Sequence, residues 1–81
     1  MWKEKLILGD GETLERLDSK TGGFMGETDI DTYMVVSSDG TKVGSVKVED
    51  HMAVKGFRRT ITVIQTDASG NKIVHTSFNP N

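Results

Sequence analysis

Between Asp31 and Asp50, apolar and polar residues alternate in two runs separated by Ser38-Asp39-Gly40-Thr41, a pattern that predicts an antiparallel hairpin. The Asp-Gly step supplies the positive φ that a tight turn requires. With a two-residue turn, Val36 is expected opposite Val43 and Met34 opposite Ser45 on one face, with Tyr33 opposite Val46 and Asp31 opposite Val48 on the other. Both faces then carry apolar side chains. Such a hairpin is expected to be covered twice, by a curled sheet, a second layer or another subunit.

A second hairpin is expected from Phe57 to Phe78 around Ala68-Ser69-Gly70-Asn71. A four-residue loop would place Ile61, Val63, Val74 and Phe78 on one core face, and Thr60, Thr62, Ile64, His75 and Ser77 on the other. The connection from Glu49 to Gly56 reads either as a loop or as a continuation of both strands with a bend at Gly56. Nearer the N-terminus, Trp2, Leu6 and Leu8 alternate like a strand, and Gly9-Asp10-Gly11 would turn it back into Glu12 to Asp18. That return segment is ambiguous, because Leu14 and Leu17 stand at helical spacing; the turn before it favours a strand. Ser19 to Thr28, with three glycines, reads as a long loop, in which Phe24 and Met25 are expected to tuck under one sheet face as a lid.

Composition sharpens this to an all-β reading. Val, Ile and Thr number 22 of 81 residues, against four Leu and two Ala, and branching at Cβ suits a pleated surface better than a helix. The expected fold is a single domain over 1–81, a five- to six-stranded antiparallel meander curled into a small SH3-like open barrel or forming one sheet of a dimeric sandwich. No internal repeat is evident in the sequence. No apolar run exceeds three residues, so neither a membrane-spanning segment of about 20 residues nor a signal-peptide core is expected. Without cysteine there is no disulfide framework and no thiolate chemistry, and a cytoplasmic setting fits.

The net charge of −2 conceals an asymmetry: residues 1–41 carry four basic and nine acidic side chains, and residues 42–81 six basic and three acidic. Opposed signs in the two halves point to pairing between strands or subunits, or to a basic face for an anionic partner. The candidate binding residues are Lys47, His51, Lys55, Arg58 and Arg59. Guanidinium groups suit phosphate or carboxylate, and Gly56 would let a backbone approach closely. An arginine on an apolar face must be paired or reach its edge, so Arg59 is expected to bind Glu49, Asp50 or Asp31 and fix strand register.

Phe57 and Tyr33 are candidate platforms for single-stranded nucleic acid, but five aromatics and an overall acidic balance disfavour that reading. An enzyme would have to use His51 with Asp50, and Ser45 or Thr60 as a hydroxyl nucleophile. Neighbours on a strand point to opposite faces, so Asp50-His51 is not a dyad unless the chain turns there. Asp29, Asp31 and Glu27 read as a solvated acidic edge rather than a calcium loop; no metal ligand set, cofactor or catalytic residue is assigned. The leading expectation is a small non-enzymatic module, homodimeric or binding a protein partner through an edge strand. An anion or nucleic-acid binder using Lys47, Lys55, Arg58 and Arg59 is the alternative.

Overall fold

A computed structural model describes residues 2–22, 28–53 and 58–79. A 3₁₀ turn, Trp2–Lys5, precedes five strands: β1 Thr13–Gly22, β2 Thr28–Val36, β3 Lys42–Met52, β4 Arg59–Asp67 and β5 Lys72–Phe78. They form one antiparallel sheet in the order β1-β2-β3-β4-β5. The chain is therefore an all-β meander. The sheet stays open: β1 and β5 each have one neighbour and do not pair with one another, so no barrel closes.

The middle of the expected register is observed. Met34 faces Ser45, Tyr33 faces Val46, Asp31 faces Val48 and Ile61 faces Phe78. The turns differ from expectation. In both hairpins three residues form the loop, Ser38-Asp39-Gly40 and Ala68-Ser69-Gly70, closed by Ser37 N–H to Thr41 O at 2.9 Å and Asp67 N–H to Asn71 O at 2.9 Å. Each loop ends on a glycine with positive φ, 88° at Gly40 and 90° at Gly70, the left-handed residue of a three-residue hairpin. A bulge follows at Val43 and at Ile73, so Val36 faces Lys42 rather than Val43. The extra residue restores the register that other loop lengths would also have produced. Loop and bulge thus recur 30 positions apart, a structural repeat that the side-chain sequence does not announce.

The two aspartates that brace these loops occupy different positions. Asp39 Oδ1 accepts the Ser37 hydroxyl and the Thr41 N–H (3.0 Å), whereas Asp67 Oδ1 accepts the Ser69 and Asn71 N–H groups, each at 2.9 Å. Ser and Asp have exchanged places between the loops. Either order ties down the residue after the glycine.

Side chains from alternate positions build one core on a single face: Val35, Val46, Val48, Ile61 and Val63, with Val63 fully buried. Burying a residue of this kind completely stabilises the fold by about 1.5–3 kcal/mol. The N-terminal segment lies against that core, where Trp2 and Leu6 pack and the Trp2 ring meets Tyr33 at a centroid distance of 5.1 Å. Gln65, 3% exposed, clamps the segment: its amide accepts from Ile7 N–H and donates to Ile7 O, both at 2.8 Å.

The expected N-terminal strand is not formed. Trp2 and Leu6 are four residues apart, a spacing that satisfies both a period of 2 and a helical turn, so their pattern cannot separate the two. Leu8, which the strand reading placed inside, is exposed. The Gly9-Asp10-Gly11 turn does reverse the chain, with Gly11 at φ 77° and Glu12 N–H bonded to Gly9 O at 3.2 Å, but it feeds β1 from a 3₁₀ turn. The ambiguous segment is strand from Thr13, and β1 continues to Gly22, so Ser19 to Gly22, expected as loop, are strand. Leu17 is the unpaired residue of a bulge between Arg16 and Asp18, which explains its helical spacing from Leu14. β3 likewise runs on through Met52, and Ala53 N–H bonds Arg58 O at 2.7 Å. The expected lid, Phe24 and Met25, and the bend at Gly56 lie outside the described residues.

Candidate interaction surface

The core face has a polar end. Asp29, Asp31 and Asp50 lie there on the inner strands β2 and β3, with Arg16 reaching in from β1 and Arg59 from β4. Asp29 and Asp31 are thus not an acidic edge: β2 has a neighbour on each side. Asp29 stands directly opposite Asp50, a like-charge pairing that by itself destabilises a ladder.

Arg59 answers it. Its Nε donates to Asp50 Oδ1 at 2.8 Å and to Oδ2 at 3.0 Å, and its Nη2 also bonds Oδ2. The guanidinium holds the Asp50 carboxyl below the usual carboxylate range, and Asp50 in turn raises the Arg59 pKa, with Asp29 adding to it. This is the register-fixing pair expected from sequence, with Asp50 as the partner. Arg16 bonds Asp31 at 3.0 Å, and the Thr21 hydroxyl donates to Asp29 at 3.0 Å, so β1 is stitched to β2 on this face.

The opposite face carries the other candidates. Lys47 pairs with Glu49 at 3.0 Å on β3, and His51 Nδ1 lies 2.7 Å from the Thr28 hydroxyl. Asp50 and His51 therefore point to opposite sides of the sheet, and no dyad forms between them. Ser45, opposite Met34 and Thr66, and Thr60, opposite His51, lie on this same face. Lys47 and Arg59 are on different faces, so the expected basic patch is not one surface; Arg58 is exposed just before β4, and Lys55 and Phe57 lie outside the described residues. Thr and Ser dominate around Ile30, Met34 and Ile64 on this side, and no element among the described residues covers it. Among the described residues, one of the two faces expected to be covered is covered within the chain.

A hollow of 340 Å³ between the ends of β3 and β4 is lined by Lys42, Gly44, Ser45, Thr66 and Asp67. Its carboxylate, Asp67, accepts the Ser69 and Asn71 N–H groups of the adjoining loop. Among the described residues no group of three His, Asp or Glu side chains is arranged to hold a metal, and no helix is long and apolar enough to cross a membrane.

The edges of the sheet are β1 and β5, and not the segment around Asp29 and Asp31 that the sequence pointed to. β1 is ten residues long, every side chain from Glu15 to Thr21 is exposed, and among the described residues its outer side has no strand beside it. Leu17, at the bulge, is 55% exposed, and Ile73, at the bulge of the other edge, is also exposed. Leu17 and Ile73 are the large apolar side chains left exposed on the two edge strands. The signal available beforehand was Leu17 standing out of phase with the alternation around it.

Compared with known proteins, the chain matches no family model, no curated protein sequence and no solved structure.

Proposed function

We propose that this chain is a small non-enzymatic binding module that associates with itself through the edge of its sheet, in a cytoplasmic setting. The observation that carries the reading is the state of β1: a ten-residue strand with no second neighbouring strand among the described residues, exposed side chains of both signs, and an exposed leucine at its middle. An open edge offers a row of backbone donors and acceptors to another strand. The groups that sequence offered for chemistry support the same reading from the other direction, because Arg59, Lys47 and His51 each have a partner within the chain. Light scattering coupled to size-exclusion chromatography tests it. A mass of twice the chain at micromolar concentration is expected, and a clean monomer there overturns the proposal.

A further inference from the structure

We infer that the partner is a second copy, joined β1 to β1 about a two-fold axis perpendicular to the sheet, in the register that overlaps both strands over their full length. The inference rests on the self-association proposed above and specifies where it occurs. Full overlap of Thr13–Gly22 with its copy sets Leu14 against Thr21, Glu15 against Lys20 and Arg16 against Ser19, with Leu17 and Asp18 crossing the axis. Two properties select this arrangement.

The first is the phase of the faces. In a regular strand of ten residues, full antiparallel overlap sets each residue against one of opposite parity, which would oppose core-face and outer-face side chains. β1 carries one extra residue at Leu17, so the phase changes across its middle. Leu14, Arg16, Ser19 and Thr21 all share the core face, as their partners Val35, Tyr33, Asp31 and Asp29 on β2 do. Glu15, Asp18 and Lys20 share the other. With the bulge present in both copies, core-face residues meet core-face residues on both sides of the axis. The bulge that spoils a regular strand makes full self-overlap consistent.

The second property is charge. Glu15 meets Lys20 of the copy, twice by symmetry, and no like charges stand directly opposite. Glu15 forms no ion pair among the described residues, and Lys20 reaches only Asp18, at 3.9 Å. Arg16 and Thr21 are spent on β2, which fixes the inner face of the strand and leaves the charges of the outer face for a partner. The other edge offers no such match: β5 carries Lys72 and His75 and no acidic residue. The product would be a continuous ten-stranded sheet, closed by symmetry so that β1 no longer presents an edge.

The test is a charge swap followed by light scattering across a dilution series. Glu15→Lys and Lys20→Glu each replace two attractive oppositions with two repulsive ones, and each is expected to raise the dimer dissociation constant on the order of tenfold or more. The double variant Glu15→Lys/Lys20→Glu restores the oppositions with their signs reversed and is expected to return the dimer to near wild-type affinity. Both positions of change are exposed, and circular dichroism confirms that each variant keeps its sheet. A wild-type dimer that both single variants leave intact overturns the β1 pairing while self-association stands, placing the interface at β5 or on a sheet face. Loss in the singles without recovery in the double variant overturns the register. A wild-type monomer overturns the inference together with the reading beneath it.

Discussion

Arg59 binds Asp50 with both ends of the carboxylate, reaching diagonally across the β3–β4 ladder, where Asp50 faces Ile61 and Arg59 faces Met52. The pair sits at the margin of the core with side chains 39% and 28% exposed, so solvent screens it. Its role is to let Asp50 stand opposite Asp29 without leaving the like charges uncompensated. Replacing Arg59 by Ala removes the fork and leaves two facing carboxylates; chemical denaturation is expected to show a lowered midpoint. Arg59→Lys keeps the charge but not the planar geometry and should recover part of that loss. Asp29→Asn in the Arg59→Ala background should also recover part, because it removes the repulsion.

Acid titration follows from two carboxylates. The Ser37 hydroxyl, with the Thr41 side chain and N–H, lowers the Asp39 pKa to about 2, and Arg59 lowers that of Asp50. A carboxyl whose folded pKa is depressed contributes stability that is fully present above its unfolded value and is lost as pH falls through the folded one. Stability should therefore hold from neutral pH down to about 4 and decline toward pH 2. Asp39→Asn and Asp50→Asn are each expected to flatten that decline, measured as the urea midpoint against pH.

Gln65 couples the N-terminal segment to the sheet through two hydrogen bonds to the backbone of a single residue, Ile7. Gln65→Ala should cost about 1–3 kcal/mol, because Ile7 loses both partners. Gln65→Glu, ionised, keeps an acceptor for the Ile7 N–H but buries a carboxylate against the Ile7 carbonyl, and should destabilise as well. The chain has one tryptophan, and it lies in the segment this clamp holds, against Tyr33. A red shift of Trp2 emission in Gln65→Ala before global unfolding would report release of the segment; emission that changes only with the cooperative transition would refute a separate clamp.

Three glycines separate two physical causes. A Cβ on Gly44 would stand 2.6 Å from the Thr66 carbonyl oxygen, backbone that cannot move without disturbing β4. Gly40 and Gly70 have open space around them but positive φ. Gly44→Ala should therefore destabilise by about 1–3 kcal/mol through a clash, and Gly40→Ala or Gly70→Ala by about 1 kcal/mol through backbone strain. Asn at 40 or 70 should be better tolerated than Ala, since Asn enters the left-handed region more readily, whereas Asn at 44 should be worse than Ala. Thermal melts of the six variants distinguish these orders.

How much of this was legible beforehand varies by element. The two hairpins were, since alternation of apolar residues marks strands and sets their faces, and a face once buried holds its register. Loop length was not, because a three-residue loop with a bulge and a two- or four-residue loop without one lead to the same pairing farther along. The Arg59 pair was legible as a requirement, an arginine on a core face needing a carboxylate, but the identity of its partner was not. Which of Glu49, Asp50 and Asp31 it meets depends on the diagonal offset between β3 and β4. The dispersal of the basic patch follows from the same geometry: Lys47 and Arg59 look like neighbours in a composition count and lie on opposite sides of a sheet.

By itself the sequence determined the class of fold, through β-branched residues, glycine punctuation and period-2 alternation, all of them local preferences that act within a few residues. Tertiary structure alone decided what Trp2 and Leu6 do, because a spacing of four fits strand and helical turn equally and only the Gln65 clamp and the Tyr33 ring select between them. It also decided which strand is left as an edge. The ambiguity at Leu14 and Leu17 was the trace of a bulge, and a bulge has meaning only relative to the neighbouring strand that lacks it.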